Sequence, residues 1–256
     1  GKKAEGIFAF RDALGHYTKA IELLEKLPTG DHKERITVYE GLGDCYHYLG
    51  RLEEAIESYG RLLEVCRNKL KRSEVKRKLG WVYQLKHQVE LSLKLMEEAL
   101  KELKEKKSLE AARIYLDTAM ILRFHTANFD RAFELDSKAL EILEGTDNTT
   151  ELSIAYRGVG YYWTTKGGQW EQGMKYLNKS LKLSEAAKDV YNMALTYDEF
   201  LRGALLAKGD FKGSALYGEK AVNLFEKIGN TYWTSVALGN SASDYGRLGD
   251  FEKALE

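Results

Sequence analysis

Between Val38 and Glu64 the apolar positions fall into two sets at helical spacing. Tyr39, Leu42, Gly43 and Tyr46 step by three or four residues, and so do Ala55, Tyr59 and Leu62. Each set lines one face of a helix. Gly50 lies between them, so the segment predicts helix, tight turn, helix.

The pattern recurs along the chain. Lys76, Leu79, Gly80 and Tyr83 precede Ser92, Met96 and Ala99; Leu116, Ala119, Met120 and Arg123 precede Ala132, Asp136 and Ala139. Tyr156, Val159, Gly160 and Trp163 precede Gly173, Leu177 and Ser180. A fifth copy runs through Leu201 and Leu205 to Ser214 and Ala221, and a sixth starts near Thr234 and stops just after Ala254. Ahead of them all, Ala13, Tyr17 and Ala20 read as the second helix of a truncated repeat. The small residue opening each second helix falls at Ala13, Ala55, Ser92, Ala132, Gly173, Ser214 and Ala254, at spacings of 42, 37, 40, 41, 41 and 40 residues. Turns at Gly50, Gly168, Gly209 and Gly249 each read Gly-x-bulky. Glycine there suits a left-handed helix cap, and the bulky residue suits a staple on the next helix.

The aromatic-x2-Leu-Gly-x2-Tyr set followed by Ala-x3-aromatic resembles the tetratricopeptide repeat (TPR) family, over nearly the whole chain. Two departures stand out. The period is near 40 where the family has about 34, and the proline closing each family repeat is missing. Both fit a long-helix variant with about six extra residues, or about 9 Å of helix. Similar long repeats occur in the sensor domains of STAND-type (MalT-like) signalling ATPases, in kinesin light chains and in bacterial peptide receptors. The resemblance implies an all-α, right-handed superhelical solenoid of antiparallel helix hairpins. The expected divisions are a partial repeat over 1–33, repeats over 34–72, 73–109, 110–150, 151–191 and 192–231, and a truncated one over 232–256, in a single solenoid.

In such a solenoid the first helix of each repeat lines a concave groove. Relative to the glycine position, residues one after, three before and four after point away from the packed stripe. The first set is Asp44, Trp81, Ile121, Tyr161, Gly203 and Ser243; the second is Glu40, Arg77, Asp117, Arg157, Glu199 and Gly239. The third is His47, Gln84, Phe124, Thr164, Leu206 and Gly246. This mixed surface suits a ligand with polar and apolar parts, not a polyanion. The candidate binding residues are Arg77, Trp81, Asp117, Phe124, Arg157, Tyr161 and Glu199. Trp81, Phe124, Arg157 and Tyr161 are expected to carry the ligand contact, with Arg77 and Arg157 as anion partners. A carboxylate clamp of the chaperone type needs Lys and Asn where Glu40 and Asp44 stand, so that ligand mode is not expected.

Composition narrows the chemistry. The 256 residues hold one proline, which permits a nearly all-helical chain. Lys plus Arg equals Asp plus Glu at 39 each, so net charge gives no reason to expect nucleic acid or an anionic membrane. Cys45 and Cys66 are the only cysteines and have no partner pair at metal spacing, which fits a reducing, cytoplasmic setting. No apolar run approaches 18 residues. "GKKAEG" does not read as a signal peptide, and both ends read as cuts from a longer protein.

"RGVGYYWTTKGGQW", Arg157 to Trp170, looks at first like a phosphate loop, but its glycines lack that spacing and sit within a helical pattern. Cys45 and His47 are two apart and so point to different helix sides. No two of the five histidines are spaced i, i+4. The one basic cluster, Arg67 to Lys78, reads either as a contact for nucleic acid or an acidic partner domain or as a solvated linker between repeats. No catalytic residue, metal or cofactor is expected. The expected function is a non-catalytic module that binds a protein, peptide or small-molecule inducer in its groove, as the sensor of a STAND-type regulator does. Contact with a missing effector domain goes with that reading. The alternative is a constitutive protein–protein scaffold, like that of kinesin light chains or of the peptide receptors.

Overall fold

A computed structural model describes residues 2–26 and 32–255, and among them every regular element is helical. The chain's proline, Pro28, and part of the expected partial repeat over 1–33 lie outside the described residues. The chain divides into two compact units, Gly1–Ile121 and Leu122–Glu256.

The first unit holds α1 (Lys2–Lys26), α2 (His32–Tyr48), α3 (Leu52–Val65), α4 (Lys69–Leu85), α5 (Val89–Glu102) and most of α6 (Leu109–His125). α1 packs on α2, α2 pairs with α3, and α4 with α5. Ala55, Tyr59, Leu62, Val75 and Val82 are fully buried in one core cluster; Met96, Ala99, Ala111, Ile114 and Ile121 make the next. Each large apolar side chain buried this way contributes about 2 kcal/mol. α4 begins at Lys69, inside the repeat that the sequence closes at residue 72, because the Asn68 side chain accepts a hydrogen bond from the Lys71 amide and caps the helix there.

The second unit holds α7 (Phe129–Leu143), α8 (Thr149–Thr165), α9 (Trp170–Ala186), α10 (Val190–Leu195), α11 (Gly203–Lys208), α12 (Phe211–Lys227), α13 (Thr231–Leu248) and α14 (Phe251–Leu255). Thr196–Arg202, between α10 and α11, is a π-helix, so Val190–Lys208 is one helix with a widened middle. α8 pairs with α9, and the π segment and α11 pack on α12.

The small residue near the head of each second helix sits where the two helices of a hairpin cross. Ser92 donates its hydroxyl to Gly80 O at 2.7 Å, and Ser214 does the same to Arg202 O at 3.3 Å. In the fourth repeat two glycines meet: a Cβ on Gly160 would stand 2.9 Å from Gly173 O. That crossing point is what the 40-residue spacing reports.

The turns follow their expected chemistry. Gly50, Gly168, Gly209 and Gly249 have φ of 75°, 69°, 82° and 79°. Two hairpins make the same left-handed turn without glycine, at His87 (φ 58°) and Ala127 (φ 51°).

Candidate functional site

The charged residues placed on the first helices meet one another from repeat to repeat, because residues about 40 apart in sequence are neighbours in space. In the first unit Lys78 Nζ lies 3.0 Å from Glu40 and 2.8 Å from Asp44. Arg77 donates to Glu110 at 2.7 Å and to Asp117 at 2.9 Å. Burial pushes the Arg77 guanidinium down, but Asp117 and Glu110 more than offset it and hold it above its ordinary value. Burial raises Asp117 against the pull of Arg77 and of a hydrogen bond with Trp81. In the second unit Arg202 donates to Asp244 at 3.0 Å, and Asn240 to Asp198 at 3.1 Å. Much of the polar chemistry expected to meet a ligand is therefore engaged within the protein.

The basic cluster is engaged in the same way. Lys71 pairs with Glu40 and Glu74, Arg72 with Glu102, and Lys76 with Glu98 and Glu102. Most of it is helix α4 rather than a linker between repeats.

A pocket of about 440 Å³ opens in the first unit, lined by Phe10, Asp44, His47, Tyr48, Tyr59, Arg77, Lys78 and Trp81. Asp44, His47, Arg77 and Trp81 are positions that helical phase aimed at the groove. Phe10 stacks on Tyr48 with ring centroids 3.9 Å apart. The buried Tyr59 donates its hydroxyl to Asp44 at 2.6 Å. Burial lowers the His47 imidazole, as does Lys78, while Asp44 opposes them. The sequence pattern marked Tyr59 only as a packed-stripe residue and Lys78 only as the end of the basic cluster, and it did not mark Phe10 or Tyr48. The spacing of Lys78 from Glu40 and Asp44, 38 and 34 residues, was the available signal for one of them.

In the second unit, Phe124, Arg157 and Tyr161 gather around the buried Phe200 ring, and Glu199 interacts by charge with Arg157. Phe124 and Tyr161 meet it edge-on at 6.1 and 5.3 Å. The Arg157 guanidinium lies 4.8 Å from its centroid. Arg157 departs from expectation: it is 1% exposed, not presented to a ligand. Its Nη1 donates to the Asn192 side chain at 2.9 Å, and burial lowers its pKa to about 10. Ile121 (1%) and Thr164 (9%) are likewise buried although their phase pointed outward, while Phe124 is 42% exposed. Glu199 Oε2 is buried without a hydrogen-bond partner, and burial raises that carboxyl to about 7. Arg123 pairs with the buried Asp136 beside this cluster. Tyr162 turns to the preceding helix, stacking on Phe133 at 4.2 Å.

Among the described residues no group of three or more His, Cys, Asp or Glu side chains could hold a metal ion. Nor among them is any helix long and apolar enough to cross a membrane.

Residues 10–68 match the tetratricopeptide-repeat family model. The likeness in fold extends over the rest of the chain. A Rap protein complexed with Competence and Sporulation Factor superposes with a TM-score of 0.73 at 16% identity, covering 99% of this chain and 71% of that one. BtubC (BKLC) from P. vanneervenii gives 0.66 at 18% identity, covering 86% and 92%. The Signal Transduction ATPase with Numerous Domains (STAND) protein with a tetratricopeptide repeat sensor from Pyrococcus horikoshii gives 0.60 at 17% identity. It covers 87% of this chain and 36% of that one. No curated protein matches the chain. The fold is thus a TPR-like solenoid with long repeats.

Proposed function

We propose that this chain is a non-catalytic binding module that takes a peptide on its first-helix faces, and that it serves as the sensor of a STAND-type regulator. The observation carrying the binding half is the pocket of the first unit. Four of its lining residues, Asp44, His47, Arg77 and Trp81, are first-helix residues at the groove phase, joined by Phe10 of α1, Tyr59 of α3, Tyr48 and Lys78, and its volume falls in the range of ligand sites. Trp81 and Arg77 are the proposed contacts there. Phe124 and Tyr161 are proposed contacts in the second unit. Asp117 acts by holding Arg77; Arg157 acts by backing the Phe200 ring on which Phe124 and Tyr161 pack, with Glu199 as its nearby counter-charge. The likeness to a Rap protein complexed with Competence and Sporulation Factor supports the binding half, and the likeness to a STAND protein with a tetratricopeptide repeat sensor supports the regulator half.

The test is selection from a phage-displayed random heptapeptide library, run against the parent protein and against Trp81→Ala. A consensus enriched on the parent and lost on the variant is expected; no enrichment on the parent would sink the binding half. For the regulator half, the natural full-length protein is assayed for ATP turnover with and without the consensus peptide. Stimulation is expected. A partner held with no effect on turnover would favour a scaffold.

A further inference from the structure

Resting on that peptide-binding reading, we propose that the first unit's pocket recognises a basic side chain of the peptide, held between aromatic faces and the Asp44 carboxylate. Four aromatic rings, Phe10, Tyr48, Tyr59 and Trp81, line the pocket. A guanidinium or ammonium within about 6 Å of such a ring is attracted by its quadrupole. The planar guanidinium also stacks on a ring while its edge meets a carboxylate.

The charges agree. The two cations lining the pocket are already held by carboxylates, Lys78 by Glu40 and Asp44, and Arg77 by Glu110 and Asp117. An incoming anion would have to compete with those carboxylates. The four carboxylates that hold them, Glu40, Asp44, Glu110 and Asp117, are met in turn by Lys71 at Glu40 and by Arg113 at Glu110, so the paired charges around the pocket balance.

Asp44 is the most open of the charges lining the pocket, with 42% of its side chain exposed against 25% for Lys78 and 18% for Arg77. Its oxygens accept from Tyr59 and Lys78, and a carboxylate has about four acceptor positions, so room remains for a ligand donor. His47 sits at the same wall with its pKa lowered by burial, so near neutral pH it adds no charge against a cation.

The experiment is calorimetric titration with capped single residues: acetyl-arginine amide, its uncharged isostere acetyl-citrulline amide, acetyl-glutamate amide, and putrescine as a free small amine. The arginine probe is expected to bind at least tenfold more tightly than the other three. Asp44→Asn is expected to weaken it about tenfold. Tyr48→Ala, at an exposed wall position, is expected to do the same, while Tyr48→Phe keeps the ring and the affinity. Equal binding of citrulline or glutamate, or an arginine affinity unchanged in Asp44→Asn, overturns the proposal. Putrescine binding as tightly as arginine overturns the assignment to a peptide side chain. A library consensus without a basic residue, still lost on Trp81→Ala, would sink this inference while leaving the binding-module reading standing. No library consensus at all would sink both.

Discussion

Arg77 donates its Nη1–H to Asp117 Oδ2 at 2.9 Å, across forty residues of sequence, and its Nε–H to Glu110 at 2.7 Å. One side chain thus ties two successive first helices together through two carboxylates. Glu110 is only 4% exposed. Removing the cation would leave that buried carboxylate with only Arg113, 3.9 Å away, against it, which is costlier than never having built the pair. Arg77→Met is expected to lower stability by about 3 kcal/mol. Adding Asp117→Asn should recover part of the loss, a coupling above about 0.5 kcal/mol in a double-mutant cycle read by urea denaturation. Strictly additive losses would mean the bond is incidental.

Ala127 has a left-handed backbone, at φ 51°, in the turn position that glycine takes at Gly50, Gly168, Gly209 and Gly249. A side chain there costs about 1 kcal/mol relative to glycine. Ala127→Gly should therefore raise stability by about 1 kcal/mol, and Gly209→Ala should lower it by about as much. Thermal melts of the two variants check both signs together. A destabilised Ala127→Gly would show that the methyl group packs well enough to outweigh the strain.

The repeat register was legible because two helices can cross closely only where both carry small residues. That constraint leaves a mark in the sequence every 37 to 41 residues, at Ala55, Ser92, Ala132, Gly173 and Ser214. The groove residues were legible only in direction. A phase of 100° per residue says which way Arg157 leaves its own helix, but not that Asn192 and Phe200 of the next repeat cover it. The π segment Thr196–Arg202 escaped for a related reason, since a regular phase cannot register a turn that takes in an extra residue. The pocket was half legible. Asp44, His47, Arg77 and Trp81 lie on two helices whose pairing the repeat predicts, whereas Phe10 comes from α1, whose approach to Tyr48 depends on tertiary packing.

Gly160 and Gly60 are both helical glycines with opposite expected responses to alanine. A Cβ on Gly160 would lie 2.9 Å from the Gly173 carbonyl oxygen and from the Leu177 amide nitrogen, both backbone atoms that cannot step aside. A Cβ on Gly60 meets nothing within 4 Å. Gly160→Ala should force α8 and α9 apart and cost about 1–3 kcal/mol. Gly60→Ala should stabilise α3 by about 0.5–1 kcal/mol, since alanine loses less backbone freedom in a helix. Paired urea titrations decide it. A tolerated Gly160→Ala would mean that the crossing can open without loss.

Glu199 carries a pH dependence whose sign follows from its surroundings. Burial raises its carboxyl to about 7; Arg157, Arg123 and Arg202 pull it down, and Asp198 pushes it up. The folded protein therefore holds this proton more tightly than the unfolded chain, whose carboxyl titrates near 4.5. The stability linked to the protonated group is fully present below pH 4.5 and is lost as the pH rises through about 7. Glu199→Gln cannot ionise and escapes that loss. Parent and variant should be nearly equal at pH 4. By pH 8 the variant should be the more stable, by at most about 3 kcal/mol. Asp136, itself raised to about 6 by burial, titrates in both proteins and cancels in the difference. Denaturation curves of the pair from pH 4 to 8 read the effect directly, and parallel pH profiles would mean that Arg157 and its neighbours compensate the ionised carboxylate in full.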